Sequence, residues 1–211
     1  MSGLRDAPTP AGAAASAGLA AAVLRKTRES AATSEAFFAA ETERIVACGR
    51  AMAAAFDAGG RLFAMGNGGS ACDAQHVAVE FMHPIIEKRP ALPAVALSAD
   101  SALLTAVGND QDFSLAFAQQ LQLLGRPGDI ALGISTSGRS ANVNRALGVA
   151  RDRGLLAVGF AGRDGGRMAG ACDHCFVVPS FSIHRIQEIH AVLVHVIWDL
   201  VHVIRGEEDV I

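Results

Sequence analysis

The chain has 211 residues, 51% of them hydrophobic, and a formal net charge of −3, which bounds it to one domain with a sizeable apolar core. Slight acidity excludes non-specific nucleic-acid binding, because neutralising phosphates needs a basic surface, so no nucleic acid partner is expected. No uninterrupted apolar run approaches the ~20 residues that span a bilayer, and the first residues lack a charged segment followed by an apolar one. Without a membrane segment or a secretory signal, Cys48, Cys72, Cys172 and Cys175 read as thiols of a reduced, cytoplasmic protein with no membrane partner.

Residues 1–16 are rich in Ala, Pro, Gly and Thr and are expected to form a disordered tail, leaving 17–211 as the single domain. Leu19 to Phe56 carries apolar residues at helical spacing, interrupted by Arg25, Arg28, Glu41 and Arg44. Ser34 is placed to cap a second helix within this stretch, and Gly59-Gly60 to end it. A repeating strand-then-helix pattern follows. Strands are expected at Arg61–Met65, Ala94–Leu97, Asp129–Ile134, Leu155–Phe160 and His174–Val178. Helices are expected over 71–82, 114–124, 141–153 and 183–204. This alternation implies parallel strands joined by right-handed crossovers: an α/β, doubly wound, five-stranded parallel sheet in a three-layer sandwich, preceded by N-terminal helices. Ligands in such folds sit beyond the carboxyl ends of the strands.

Two loops in that position suit an anion. Gly66-Asn67-Gly68-Gly69-Ser70 follows the first strand and opens a helix. Its glycines let backbone approach a ligand, and helix-start N–H groups hold anions. It matches neither GxGxxG nor GxxxxGK[ST], so no nucleotide cofactor is expected; a plain strand–helix corner is the simpler reading of this loop alone. Ser135-Thr136-Ser137-Gly138-Arg139-Ser140 follows the third strand. Four hydroxyls beside free helix N–H groups suit a phosphate dianion. A capping role explains Ser140 but not the other three.

Two helical patterns carry titratable groups. His76 and Glu80, four apart, share a helix face and fit a metal-ligand pair, a proton-transfer pair or a surface ion pair. In the last helix, His190 and His195 lie among Val192, Leu193, Val194, Val196, Ile197 and Trp198; such a histidine is either a satisfied core group or an acid or ligand. Cys172-Asp173-His174-Cys175 has the spacing of half a zinc ribbon or a thiol redox pair. No second pair exists, and the segment leads into Phe176-Val177-Val178 rather than a helix, so the pair is read as structural.

Taken together, Gly66–Ser70 with Cys72-Asp73-Ala74-Gln75-His76, Val107-Gly108-Asn109-Asp110, Gly133–Val143 and Arg185-Ile186-Gln187-Glu188-Ile189-His190 resemble the SIS (sugar isomerase) domain, and within it the phosphoheptose isomerases. The resemblance runs from about residue 40 to 205. It implies a flavodoxin-like strand order and conversion of sedoheptulose 7-phosphate to an aldose heptose 7-phosphate, the first step towards nucleotide-activated heptose. It implies substrate contacts at Asn67, Gly68, Gly69, Ser70, Glu80, Asn109, Asp110, Ser135, Thr136, Ser137, Ser140 and Gln187. Glu80 matches the family's base and His195 its acid; His76, Glu80, Gln187 and His195 match a zinc site; and the family's assembly is a homotetramer. Gln187 and His195 are eight residues apart, about 12 Å of helical rise, so a shared ion requires a distorted helix end or a neighbouring subunit. His184, Ala71 and Val79 stand where some members of the family carry Asp, His and Glu, which bears on the exact sugar and its stereochemistry. The rival readings are a non-catalytic SIS protein that binds the replication initiator DnaA, in which the catalytic Glu and His are replaced, and a phosphosugar-sensing regulatory module.

Overall fold

The computed structural model describes residues 10–86 and 88–209. The chain divides into two compact units, one ending at Ala40 and one running from Glu41. The first is helical from Pro10 and belongs to α1 (Pro10–Asp57). Part of the expected disordered tail, residues 1–9, lies outside the described residues, and residues 10–16 are the opening turns of α1. The expected break at Ser34 is absent. Thr27 Oγ1 bonds back to the Val23 and Leu24 carbonyls, and Thr33 Oγ1 to the Glu29 carbonyl at 2.8 Å. These two hydroxyls are satisfied inside a continuing helix, where the competing option was to start a new one.

The second unit carries the sheet: β1 (Leu62–Gly66), β2 (Ala94–Ala96), β3 (Ile130–Ser135), β4 (Leu156–Gly162) and β5 (His174–Val178). All pairings are parallel, in the order β2-β1-β3-β4-β5. Every residue of β1 and β3 is buried, which is why these strands read as continuous apolar runs and not as alternating ones. The helices are α2 (Gly69–Met82), α3 (Ser101–Asp110), α4 (Ala116–Leu124), α5 (Ala141–Asp152) and α6 (Ile183–Ile204). The doubly wound expectation holds, with one addition and one division. Helix α3 was not expected, and the helix expected from Ser114 is a 3₁₀ turn over Phe113–Leu115 followed by α4.

With few aromatics, close packing relies on small residues under large ones. Phe63, Met65, Phe117, Leu121, Leu147 and Leu155 belong to one buried cluster, each burial contributing about 1.5–3 kcal/mol. Gly133 in β3 lets α5 approach: a Cβ there would lie 2.7 Å from Val143 Cγ1 and 2.8 Å from Leu147 Cδ1. At the amino ends of the strands, Asp129 accepts from the Arg61 and Arg126 amides at 2.8 and 2.9 Å and pairs with the Arg61 guanidinium at 2.8 Å. Burial pushes that carboxyl up, but the Arg61 and Arg126 donors outweigh it and hold it below the usual range.

Helix α6 is long and apolar enough to cross a membrane by length and composition, although polar residues interrupt it. Here half of its most apolar stretch is buried inside the fold, and it packs on α2 and β4. Ser182 caps it. His190 is fully buried, its Nε2 3.0 Å from the Ala161 carbonyl at the end of β4; that contact requires the proton on Nε2.

Candidate active site

The strand order reverses between β1 and β3, so the loops after these strands flank a crevice at the switch point. Each loop opens a helix, α2 after β1 and α5 after β3. Neither helix has a side-chain cap or an acidic residue in its first turn. Two helix starts left in this state present their positive ends to a common crevice, which favours an anion.

The two loops are tied together by a reciprocal amide pair. Asn67 Nδ2 donates to Asn142 Oδ1 at 2.9 Å, and Asn142 Nδ2 donates to Asn67 Oδ1 at 2.8 Å. Asn142 also accepts from the Val143 amide. Sequence reasoning did not single out Asn142. The signal available was a buried-type position on the first turn of α5 occupied by an amide, and it is 4% exposed in the structure.

In the hydroxyl loop, Ser135 ends β3 and its Oγ lies 2.9 Å from Ser140 Oγ. Ser140 occupies the N-cap position of α5 without capping it, so the capping explanation for this serine fails. Ser137 Oγ accepts from the Arg139 amide at 3.2 Å, and Thr136 is half-buried beside it. The loop is braced from behind. Gly138 has φ +62°, and a Cβ there would lie 1.9 Å from the Gly165 carbonyl, so only glycine fits. Its own carbonyl accepts from the Arg167 and Met168 amides at 3.0 and 3.2 Å.

In the loop after β1, Gly68 precedes α2 with φ 55°. Ser70 is buried, and its amide is spent on the Asn67 carbonyl at 3.1 Å. Gly69 meets α6: a Cβ there would lie 2.1 Å from Gln187 Nε2. Seven residues further along α2, His76 meets His195, eight residues further along α6, with the two Nε2 atoms 3.1 Å apart. Helices α2 and α6 therefore run side by side in the same direction. Glu80 completes the second meeting point, with its Oε1 3.3 Å from His76 Nε2.

His76, Glu80 and His195 each offer one donor atom, all within 4.8 Å of one another. Donors about 2.0 Å from a tetrahedral ion stand about 3.3 Å apart, close to the two distances measured from His76. The donor set, two imidazoles and a carboxylate, fits zinc. Gln187 stays with Gly69, two turns from this cluster on a regular helix, so one chain does not bring the expected fourth ligand to the other three. His195 is exposed, whereas His190 and His202 are fully buried; the core reading of a histidine on this helix applies to those two. Asn109 and Asp110 end α3, exposed and bonded to each other at 2.7 Å; no hydrogen bond among the described residues joins them to the two loops.

The SIS domain family model matches residues 27–162. A phosphoheptose isomerase of Solidesulfovibrio magneticus is 48% identical over 82% of this chain and 84% of its own. Another, from Paramagnetospirillum magneticum, is 50% identical over 71% of this chain and 78% of its own. Among solved structures, a phosphoheptose isomerase from Neisseria gonorrhoeae superposes with a TM-score of 0.81 at 38% identity, covering 87% of this chain and 98% of that one. One from Francisella tularensis does so with 0.82 at 34% identity, covering 85% and 96%. With the family model matching most of the chain and these relatives covered over most of their own length, the chain belongs to the SIS-domain family, among the phosphoheptose isomerases.

Proposed function

We propose that the chain is a phosphosugar isomerase that converts sedoheptulose 7-phosphate to an aldose heptose 7-phosphate. The observation that carries this reading is the convergence of Glu80, His76 and His195 within 4.8 Å in the chain that also places a serine loop and two uncapped helix starts at the strand-order reversal. Family membership supplies the reaction, and the residues fit it.

Ketose–aldose conversion moves a proton between adjacent carbons through an enediol. One base takes the proton and returns it next door. Glu80 is half-buried, and its Oε1 faces His76, which leaves Oε2 to accept the proton. His195 delivers a proton to the carbonyl oxygen. Ser135, Thr136, Ser137 and Ser140, with the α5 amides, hold the phosphate, and Asn67, Gly68 and Gly69 line the sugar's path. Ser70 is buried with its amide engaged, so it supports this loop from beneath. Gln187, which stands over Gly69, and Asn109-Asp110, which end α3, are assigned to the sugar's hydroxyl groups on the family resemblance. Zinc, when bound, would be held by His76, Glu80 and His195, with Gln187 as a fourth ligand only if it comes from another subunit, and His195 would then give up its proton-donor role at the carbonyl oxygen to the ion. The chemistry a bound zinc ion supplies is Lewis-acid polarisation of substrate oxygen.

The reading extends to a cytoplasmic homotetramer. Four free thiols support the compartment. Association is supported by exposed apolar residues on three elements: Leu19, Val23 and Leu24 on α1, Val79 and Met82 on α2, and Val95 on β2. The last three line an apolar groove of about 620 Å³ along the sheet edge. Light scattering tests the assembly, with a tetramer expected for the full chain and a smaller species for Val95→Glu.

Incubation with sedoheptulose 7-phosphate, followed by carbon NMR, is expected to give an aldose heptose 7-phosphate. Glu80→Gln is expected to bind the sugar but lose turnover by about 10²–10⁴-fold, the range for a general base. Near-normal turnover in that variant overturns the assignment. Retention of both Glu80 and His195 at one point speaks against the DnaA-binding and sensing alternatives, neither of which uses a base.

A further inference from the structure

The Cys172-Asp173-His174-Cys175 segment lies away from the catalytic cleft, at the amino end of β5. Its geometry departs from that of two packing thiols. Cys175 is the register partner of Gly159 in β4, and adjacent strands stand about 4.8 Å apart with partner side chains on one face. The space a side chain at 159 would fill is taken by Cys172: a Cβ on Gly159 would lie 2.7 Å from the Cys172 sulfur. That sulfur therefore rests directly beside Cys175. A bend at Asp173 folds the chain back to put it there. The Asp173 amide donates to the Ala157 carbonyl at 2.9 Å, and the Ala157 amide donates to Asp173 Oδ2 at 2.8 Å.

The surroundings make the two sulfurs unequal. Cys172 is half-buried and Cys175 is buried. A hydrogen bond from Cys172 favours the thiolate at Cys175; burial opposes this, and the Arg44 guanidinium adds to it, leaving Cys175 below the ordinary thiol range. Arg44 is fixed there by its bond to the Cys175 carbonyl at 2.6 Å and by the Phe176 ring at 5.6 Å. The same contact pushes Cys172 up.

We propose that Cys172 and Cys175 form an oxidisable dithiol, a modification site that closes to a disulfide when it meets a low-molecular-weight disulfide such as oxidised glutathione. The Cys175 thiolate takes the proton of the accessible Cys172, whose sulfur then attacks the oxidant; the thiolate expelled from the oxidant removes that proton from Cys175 and leaves as the first thiol. The neighbouring Cys175 thiolate then attacks the Cys172 sulfur, breaking the mixed disulfide and releasing the second thiol. The two cysteines lose two electrons and two protons; the oxidant gains both as two thiols. Cys48 has no part in this, since burial pushes its thiol up to about 12. Cys72 is exposed on α2 and reports simple solvent-exposed chemistry.

The test is peptide mapping of the full-length native protein after treatment with oxidised glutathione, with remaining thiols alkylated in denaturant. Met168–Arg185 contains no internal Lys or Arg, so trypsin releases both cysteines in one peptide. That peptide is expected unalkylated, two hydrogens lighter and free of glutathione, and dithiothreitol should restore two alkylatable thiols. In Cys175→Ser, Cys172 is expected to retain glutathione. The proposal is overturned if the wild-type peptide is alkylated at both positions, or if it carries glutathione as the variant does. Neither readout involves a sugar, so failure here leaves the isomerase assignment untouched, and failure of that assignment leaves this one.

Discussion

Asn142 and Asn67 spend their side chains on each other, and this defines what a substitution does. In Asn142→Ala, the Asn67 amide keeps neither of its partners in a half-buried place. An unsatisfied buried polar group costs about 1–3 kcal/mol, so chemical denaturation should register a loss of that order. The loop after β1 also loses its tie to the serine loop, and KM should rise more than kcat falls; a proportionate fall in kcat with constant KM would contradict this. The residues proposed for catalysis were partly legible in the sequence. His76 and Glu80 share a helix face by spacing alone, but their partner is on another helix 119 residues away from His76. No local pattern encodes that meeting. His195 resembled His190 in composition of surroundings, and only packing separates them: one faces the Ala161 carbonyl, the other the His76 imidazole.

At the scale of elements, strands were easier to place than helices. Buried parallel strands need unbroken apolar runs, and β1, β3 and β4 supply them. Helix α3 was missed because it is short and mostly exposed, with a single buried residue, Val107, so it lacks the apolar stripe that marks a packed helix. The continuity of α1 was missed because Thr and Ser favour caps and give no sign of when they bond backwards. Gln187 shows the limit most clearly: its spacing from His195 could be measured in the sequence, but not the partner it chooses. Gly69→Ala tests the contact between α2 and α6. The new methyl would meet Gln187 Nε2 at 2.1 Å, so the side chain must swing away. KM is expected to rise with far-UV circular dichroism unchanged; an unaltered KM would remove Gln187 from the substrate path. Ser137→Ala with Ser140→Ala tests the serine loop in the same way, with raised KM expected and unchanged KM contradicting the phosphate role.

Over the whole molecule, buried titratable groups set a pH dependence. Burial pulls His190 from 6.5 to about 4. It does the same to His202, with help from Arg89 and Arg205 and opposition from Asp199. Between those values the unfolded chain binds protons the folded chain refuses, so stability falls as pH drops from 6.5 towards 4. Asp73 acts in the opposite sense: burial lifts its carboxyl from 3.8 to about 6, with His76 opposing. The folded chain then holds a proton the unfolded one lacks, which offsets part of the loss. Urea midpoints should fall over this range, and His202→Leu should flatten the fall. His202 lies between Phe81 and Trp198 with no hydrogen-bond partner for either nitrogen among the described residues, so an aliphatic replacement forfeits nothing polar. A slope equal to wild type would assign the dependence elsewhere.

The side-by-side course of α2 and α6 has a last consequence. From Gly69 to His76 the backbone climbs seven residues, about 10.5 Å, and in the proposed site this interval separates the stretch that lines the sugar's path, tied to the serine loop through Asn67 and Asn142, from the point where protons move. The pair of helices is a gauge of carbon-chain length. A shorter ketose phosphate anchored at the same serines stops below the carboxylate, and a pentulose 5-phosphate should therefore occupy the protein as a competitive inhibitor without being turned over.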